Sequence, residues 1–447
     1  MGKRLFFLFM ATLLSLATQA GPVVKRVALA SALQGVVEHP AKPLASLSAV
    51  AIRDGQVVYE GHFGYRYLPG DASGKRLKPD HQTLYRIASV SKTVLTIGLM
   101  RLVDAGKLDL DADVSTYLGF RLRNPHFPAV PITTRMLLSH TSSLRDDAGY
   151  SFAIGTSLQS VLDPQGANFG SGAAWAAPSP QSDRAPGHYF EYVNLNFGVA
   201  GTIIEAISQQ RFDRYMQSEV LRPLGIAGGY TPETLSPADY RHLAVLYRKG
   251  SESHWNPAGP WVAQVDDYQG IPPAPRAELA SYVPGTNATG FGPQGGLRIS
   301  VAGLAKIMQM LMHRGTLGKV RILSSEAVAE MGRAHWTYQA DAKNGDTLHG
   351  IFHSWGLGMQ RFMDISGPDG GDRFVAGGGV QGLGHLGEAY GLNSGFIYDP
   401  TTRNGLIYAI GGIGTNPEHD KGQYSSLQSW EESLLNALYR HAILPTR

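Results

Sequence analysis

Ser89 and Lys92, three residues apart in "YRIASVSKTVLTIGLMRLVDAGKL" (Tyr85 to Leu108), are of types and at a spacing that can do chemistry. A serine at the N-terminal edge of a helix lies near unpaired backbone amides and the positive end of the helix dipole. Both favour negative charge developing on an attacking oxygen or a nearby oxyanion. Lys92, one turn on, shares that face, so its amine reaches the Ser89 hydroxyl. The chemistry would be nucleophilic attack by Ser89 with Lys92 handling the proton. By frequency alone, a capping serine and a solvated lysine are the commoner source of such a pair. A second candidate group, Tyr192 and Asn194, precedes an apolar helix in "RAPGHYFEYVNLNFGVAGTIIEAIS". A tyrosine beside an ammonium can serve as general base or acid, and Asn194 can hold the lysine and donate to a substrate carbonyl. A core tyrosine followed by a capping asparagine gives the same pattern. The third group, His385 and Gly387 in "GGGVQGLGHLGEAYGLNSGFIYDP", stands just before a strand signal. A Gly-flanked edge strand lets a substrate backbone approach, and His385 can contact a substrate or move a proton.

These groups need elements to hold them. Leu95, Leu99, Leu102 and Val103 recur at helical spacing and Gly106 stops the run, so a buried helix follows Ser89. Residues Ser46 to Tyr67 alternate around Asp54-Gly55, a tight hairpin signal, and Ser394 to Gly412 repeats the pattern around a Pro/Asn/Gly turn. A helical stretch, "SLQSWEESLLNALYRHAI", follows, so the two ends of the chain are expected to share one antiparallel sheet covered by helices, an α/β (α+β) architecture. Helical signals dominate between them, from Ala88 to Ala105, from Asn196 and from Phe212. The expectation is a catalytic unit of two lobes after residue 20, an α/β lobe near 21–84 and 290–447 and a helical lobe near 85–289. Two stretches rich in Gly, Ala, Pro and Ser, Asp146 to His188 and about Ser251 to Gly296, read as functional rims or lids.

The chain has 447 residues, 43% hydrophobic and 17% charged, enough for a large core, and its net charge of +3 comes without any long basic run. That excludes an electrostatic footprint for nucleic acid and points to small molecules or cell-wall polymers as partners. Lys3 and Arg4, an apolar run from Leu5 and the small-residue site Thr18-Gln19-Ala20 fit a secretory signal over residues 1–20, cleaved near Ala20. The run is short for a membrane span, so no stable membrane insertion is expected. With no cysteine, the chain has neither disulfides, nor a thiol nucleophile, nor a lipoprotein anchor. A periplasmic or secreted protein without a cofactor is the expectation. His349 and His353 in "HGIFHSWG" have the spacing of a metal pair on a helix, but no third ligand accompanies them and Gly350 disfavours the helix.

Ser89 with Lys92, Tyr192 with Asn194, and His385 to Gly387, in that order, resemble the three motifs of the serine β-lactamase and penicillin-binding protein superfamily. The YxN and HxG versions are those of class C β-lactamases and their esterase and D-aminopeptidase relatives. "VPITTRMLLSHTSSL", "GGLRISVAGLAKIMQMLM" and "SWGLGM" are similar to further elements of that family, and the resemblance spans about Leu44 to Gly412. It implies an antiparallel sheet flanked by helices beside a mostly helical lobe, with the active site between them. It also implies roles: Ser89 attacking a carbonyl, Lys92 and Tyr192 sharing proton transfer, Asn194 positioning, and His385 to Gly387 lining the substrate. The implied oxyanion hole uses the amides of Ser89 and of Glu388 or its neighbour. Which of Lys92 and Tyr192 is the acylation base stays open.

The third motif departs from the family pattern. Leu386 stands where Thr or Ser usually meets a substrate carboxylate, and an apolar side chain cannot donate to one. His385 in place of Lys replaces a fixed charge with a pH-dependent one. The carboxylate of Glu388 would suit a substrate amine, unless it points to solvent as charged edge residues commonly do. Ser139 to Ser143, the "HTSG" region, reads as structural. The expected function is a serine hydrolase acting through a Ser89 acyl-enzyme on β-lactam or related amide bonds. The same site could instead serve esters or peptides with D-amino acids, or a penicillin- or cell-wall-binding protein that does not turn over.

Overall fold

The computed structural model describes residues 24–70, 74–250 and 254–444. The expected signal segment, residues 1–20, lies outside the described residues. Eight strands form the main sheet: β1 (Ser46–Arg53), β2 (Gln56–Gly64), β3 (Trp336–Thr337), β4 (Ser354–Trp355), β5 (Gln360–Phe362), β6 (Gly382–Ala389), β7 (Leu392–Asp399) and β8 (Asn404–Ile410). Their order is β2-β1-β8-β7-β6-β5-β4-β3, every pair antiparallel. The two ends of the chain meet where β1 pairs with β8, Ala49 opposite Tyr408. Asp54 and Gly55 turn the first hairpin with φ of 52° and 79°, the positive angles that such a two-residue turn requires.

Both faces of this sheet are covered, so β1 is buried almost end to end and its alternation sorts residues between two cores. Val50 and Ile52 join the cluster around helices α2 (Val90–Asp104), α3 (Leu195–Ser208) and α4 (Val301–Met312). Leu47, Ala49 and Ala51 join the cluster around α1 (Arg26–Val37) and α5 (Ser429–Leu438). Ser46 and Ser48, polar in the sequence pattern, are buried too, and each shares a hydrogen bond with the Tyr85 hydroxyl.

Helix α2 is buried on every face from Val90 to Met100, which explains why apolar residues occur all round it with no polar stripe, while its last turn, with Arg101 and Asp104, reaches the surface. A Cβ on Gly98 would stand 2.4 Å from Met216 Sδ, so the absence of a side chain there lets the neighbouring helical segment close in. Among the described residues no helix is long and apolar enough to cross a membrane.

Candidate active site

The first turn of α2 is built against the free part of an edge. Strand β5 pairs with β6 only from Gly382 to Gly384, so His385 to Ala389 have a neighbour, β7, on one side alone. Gly387 faces the start of α2. A Cβ there would lie 2.5 Å from Ile87 O and 3.2 Å from Ser89 N, so only glycine lets the strand and the turn meet. Ser394, opposite Gly387, donates its hydroxyl to Ile87 O at 2.9 Å and fixes the same approach from β7. The turn is strained: Ala88 holds φ at 46°, a left-handed angle that costs a residue with a Cβ about 1 kcal/mol or more.

Ser89 is half-buried and its side chain makes no capping hydrogen bond, so the commoner reading of the pair does not describe this serine. Lys92 beneath it is fully buried. Its Nζ lies 2.8 Å from Ser89 Oγ, 2.8 Å from Asn194 Oδ1 and 2.9 Å from the Gln294 carbonyl. Burial lowers the Lys92 pKa to about 7, with the negative charge of Asp146 acting against the shift. A neutral amine has two N–H donors and one lone pair. The two carbonyl acceptors take the donors, and the lone pair is left for the Ser89 proton.

Tyr192 stands over this pair, with Lys92 Nζ 4.9 Å from its ring centroid and its phenol hydrogen-bonded to Ser89. Burial pushes the phenol well above its ordinary value despite that bond, so it stays protonated at neutral pH. His140 stacks on the Tyr192 ring at 4.5 Å and accepts the Val193 N–H at 2.9 Å on Nδ1. It is fully buried, and burial together with the Lys92 charge holds it neutral. The Ser139 to Ser143 segment, read from sequence as structural, therefore supplies the surface on which Tyr192 rests.

His385 joins from β6, its ring 6.0 Å from Tyr192 and 5.3 Å from Trp355. Its Nδ1 donates to Leu386 O at 2.5 Å, which leaves Nε2 as the acceptor nitrogen. Burial, then the Lys92 charge, lowers its pKa to about 3, so the charge expected to vary with pH at this position is absent at neutral pH.

Ser89, Lys92, Tyr192, Asn194, His385 and Gly387 are thus brought together. Glu388 is placed differently from the expectation for its side chain. The row Leu386, Gly395, Tyr408 runs across the opposite face, where the Tyr408 hydroxyl bonds Glu431 of α5, and strand alternation puts Glu388 on that face as well. Its carboxyl is exposed at the rim, raised by its crowded surroundings and drawn down by Arg248. The residue of this strand that comes next to Ser89 is Gly387, not the Glu388 side chain. His349 and His353 also differ from a helical pair, because Leu348, His349 and Gly350 all have positive φ and form a turn. Among the described residues no group of three or more acidic or histidine side chains is placed to hold a metal ion. Asp146, from the long Gly- and Pro-rich stretch, was not singled out by sequence reasoning. It accepts the Asn194 N–H at 2.8 Å, the Asn194 side-chain amide at 2.9 Å and the Leu195 N–H at 2.9 Å.

The large antiparallel sheet flanked by helices is the fold shared with a penicillin-binding protein homologue and a D-amino acid amidase. The penicillin-binding protein homologue of Pyrococcus abyssi, an octamer, superposes with a TM-score of 0.64 at 22% identity, over 94% of this chain and 78% of that one. The D-amino acid amidase of Ochrobactrum anthropi SV3, complexed with D-phenylalanine, gives 0.59 at 21% identity over 92% and 98%. Residues 33–428 match the Beta-lactamase family, and the chain belongs to it. Esterase EstB of Burkholderia gladioli is 31% identical over 210 residues, 44% of this chain and 50% of that protein. The matched region spans 36% to 50% of the length of such curated relatives.

Proposed function

We propose that the protein is a serine hydrolase that cleaves esters or the amides of D-amino acids through a Ser89 acyl-enzyme. The observation that carries this reading is the buried Lys92, whose two N–H donors are taken by Asn194 Oδ1 and Gln294 O while Ser89 Oγ lies 2.8 Å away. With its pKa near 7, Lys92 is the resting-state base: it takes the Ser89 proton as the oxygen attacks the substrate carbonyl. The amides at the start of α2 and along the free edge of β6 would hold the oxyanion. The protonated Tyr192 phenol is placed to pass a proton to the leaving oxygen or nitrogen and to be refilled from Lys92. Water then repeats the sequence on the acyl-enzyme.

Esters and D-amino acid amides are favoured over β-lactams because a β-lactam presents a carboxylate where this site has no fixed cation on β6. His385 is neutral and Leu386 is apolar. The matches to EstB and to the D-amino acid amidase support the same choice. The test is intact-protein mass spectrometry with p-nitrophenyl butyrate, D-phenylalanine amide and a penicillin, beside Ser89→Ala. Turnover of the ester or amide, absent in the variant, is expected. Turnover of the penicillin alone would move the reading to β-lactams, and a stable adduct without turnover would make the protein a penicillin binder. Export to the periplasm or medium is proposed from the pattern of residues 1–20 and is tested by the N-terminus of the mature protein.

A further inference from the structure

We propose that Asp146 is a positioning residue for the lysine of this site, holding the Asn194 carboxamide with its oxygen turned toward Lys92 without itself touching substrate. Three distances support it. Asp146 Oδ2 accepts both the backbone N–H of Asn194 at 2.8 Å and its side-chain N–H at 2.9 Å, while Oδ1 accepts the N–H of Leu195 at 2.9 Å. The carboxylate is therefore pinned to the first turn of α3 by two backbone donors and to the carboxamide by a third. An asparagine amide is nearly symmetric in shape, and its two orientations differ only in which end donates. Here the carboxylate can accept but not donate, so it selects the orientation with Nδ2 toward Asp146 and Oδ1 toward Lys92, where Oδ1 takes a lysine proton at 2.8 Å. The opposite orientation would set oxygen against oxygen at Asp146 and turn an N–H toward Lys92, where it would either face a lysine N–H or occupy the lone pair meant for Ser89.

The consequence reaches Ser89. If Asn194 Oδ1 turns away, Lys92 keeps only the Gln294 carbonyl as a fixed acceptor, and its lone pair is no longer aimed at the serine. The same carboxylate also acts at a distance, favouring the protonated lysine. The other titratable groups around Lys92 are Tyr192 against its Nζ and the neutral His140 and His385, with Tyr150 near Tyr192. Among them Asp146 is the carboxylate whose charge acts on Lys92.

The test is a double-mutant cycle of Asp146→Asn and Asn194→Ala, read on p-nitrophenyl butyrate hydrolysis against pH at a temperature well below unfolding. Asp146→Asn is expected to lower kcat by about tenfold to a hundredfold with KM within about twofold. The acidic limb of kcat/KM should move to lower pH, because a lysine relieved of the nearby anion loses its proton more readily. The double variant should fall no further than Asn194→Ala alone. Multiplying penalties would overturn the route through Asn194. An unchanged kcat, or a lower melting temperature with the limb unmoved, would reduce Asp146 to a helix support. Where Asp146→Asn does not fold, Asp146→Ser, which keeps an acceptor for the α3 amides, takes its place under the same criteria. The inference rests on the Ser89 hydrolase reading. A parent enzyme inert toward the ester and without a Ser89-dependent adduct defeats both, whereas an active parent with a fully active Asp146→Asn defeats this inference alone.

Discussion

Lys92 on one face of the sheet and Glu431 on the other are both buried, and both have pKa values driven to about 7, one down from 10.5 and the other up from 4.5. Burial is the main cause in each case. The surroundings then part company. Glu431 accepts the Tyr408 hydroxyl at 2.5 Å and the Gln428 N–H at 3.0 Å, so it is enclosed by fixed donors at the start of α5. Lys92 is held by two fixed acceptors and has a half-exposed serine as its third contact. A shifted pKa alone therefore does not mark a site in this molecule; the shift with a reactive, reachable neighbour does.

The comparison is broken most directly at Ser89. Ser89→Ala should reduce ester turnover by about ten-thousandfold while the protein melts at or above the parent temperature, since the serine caps nothing. Ester absorbance assays and calorimetry together decide it. A residual rate near that of the parent would mean that the lysine serves some other group. Lys92→Met should cost about a thousandfold and also abolish the rise of kcat/KM through about pH 7. Stability must respond too: between about pH 7 and 10.5 the unfolded chain binds more protons at this position than the native one, so the parent gains stability as pH rises through that window and the methionine variant should not. Gly387→Ala tests the contact between strand and turn. A Cβ 2.5 Å from Ile87 O must displace the turn that carries Ser89, and a drop of about a hundredfold in kcat is expected with Ser89 and Lys92 intact.

How much of this was legible in the sequence depends on how far each partner lies along the chain. The first turn of α2, the Asp54-Gly55 hairpin and the pairing of the two ends follow from local spacing and turn chemistry, and the structure has them. Strands β3, β4 and β5 are two or three residues long and leave no periodic signal, although they decide where the edge of β6 becomes free. Asp146 sits 48 residues before its partner Asn194 in a stretch with no regular pattern, so nothing in the spacing points to it. The faces of Leu386 and Glu388 were readable in principle from strand alternation, once Gly387 is taken as the residue that meets Ser89. His140 was hidden for another reason: its role is to lie flat against a tyrosine, and a stacking contact imposes no spacing in sequence.

Glu431→Gln sharpens the comparison from the other side and has the smallest expected effect. Catalysis should stay within about twofold of the parent, because Glu431 lies on the α5 face and bonds Tyr408, Gln428 and Asn393, none of which touches Lys92 or Ser89 among the described contacts. Its signature is in stability. The native carboxyl holds its proton up to about pH 7 and the unfolded one only to about 4.5, so the stabilisation is complete below pH 4.5 and is lost as pH rises toward and past 7. The full swing is at most about 3 kcal/mol. At pH 5 the glutamine variant should be slightly less stable, since an amide cannot match every donor and one capping bond worth about 1 kcal/mol is weakened. At pH 8 the difference should narrow or reverse, because the parent then carries a buried charge and the variant does not. Glu205, also raised to about 7, leaves a remaining slope of the same sign in both proteins. Melting curves at pH 5 and pH 8 that run parallel for parent and variant would show that Glu431 does not titrate there, and the likeness between the two faces would then end at burial.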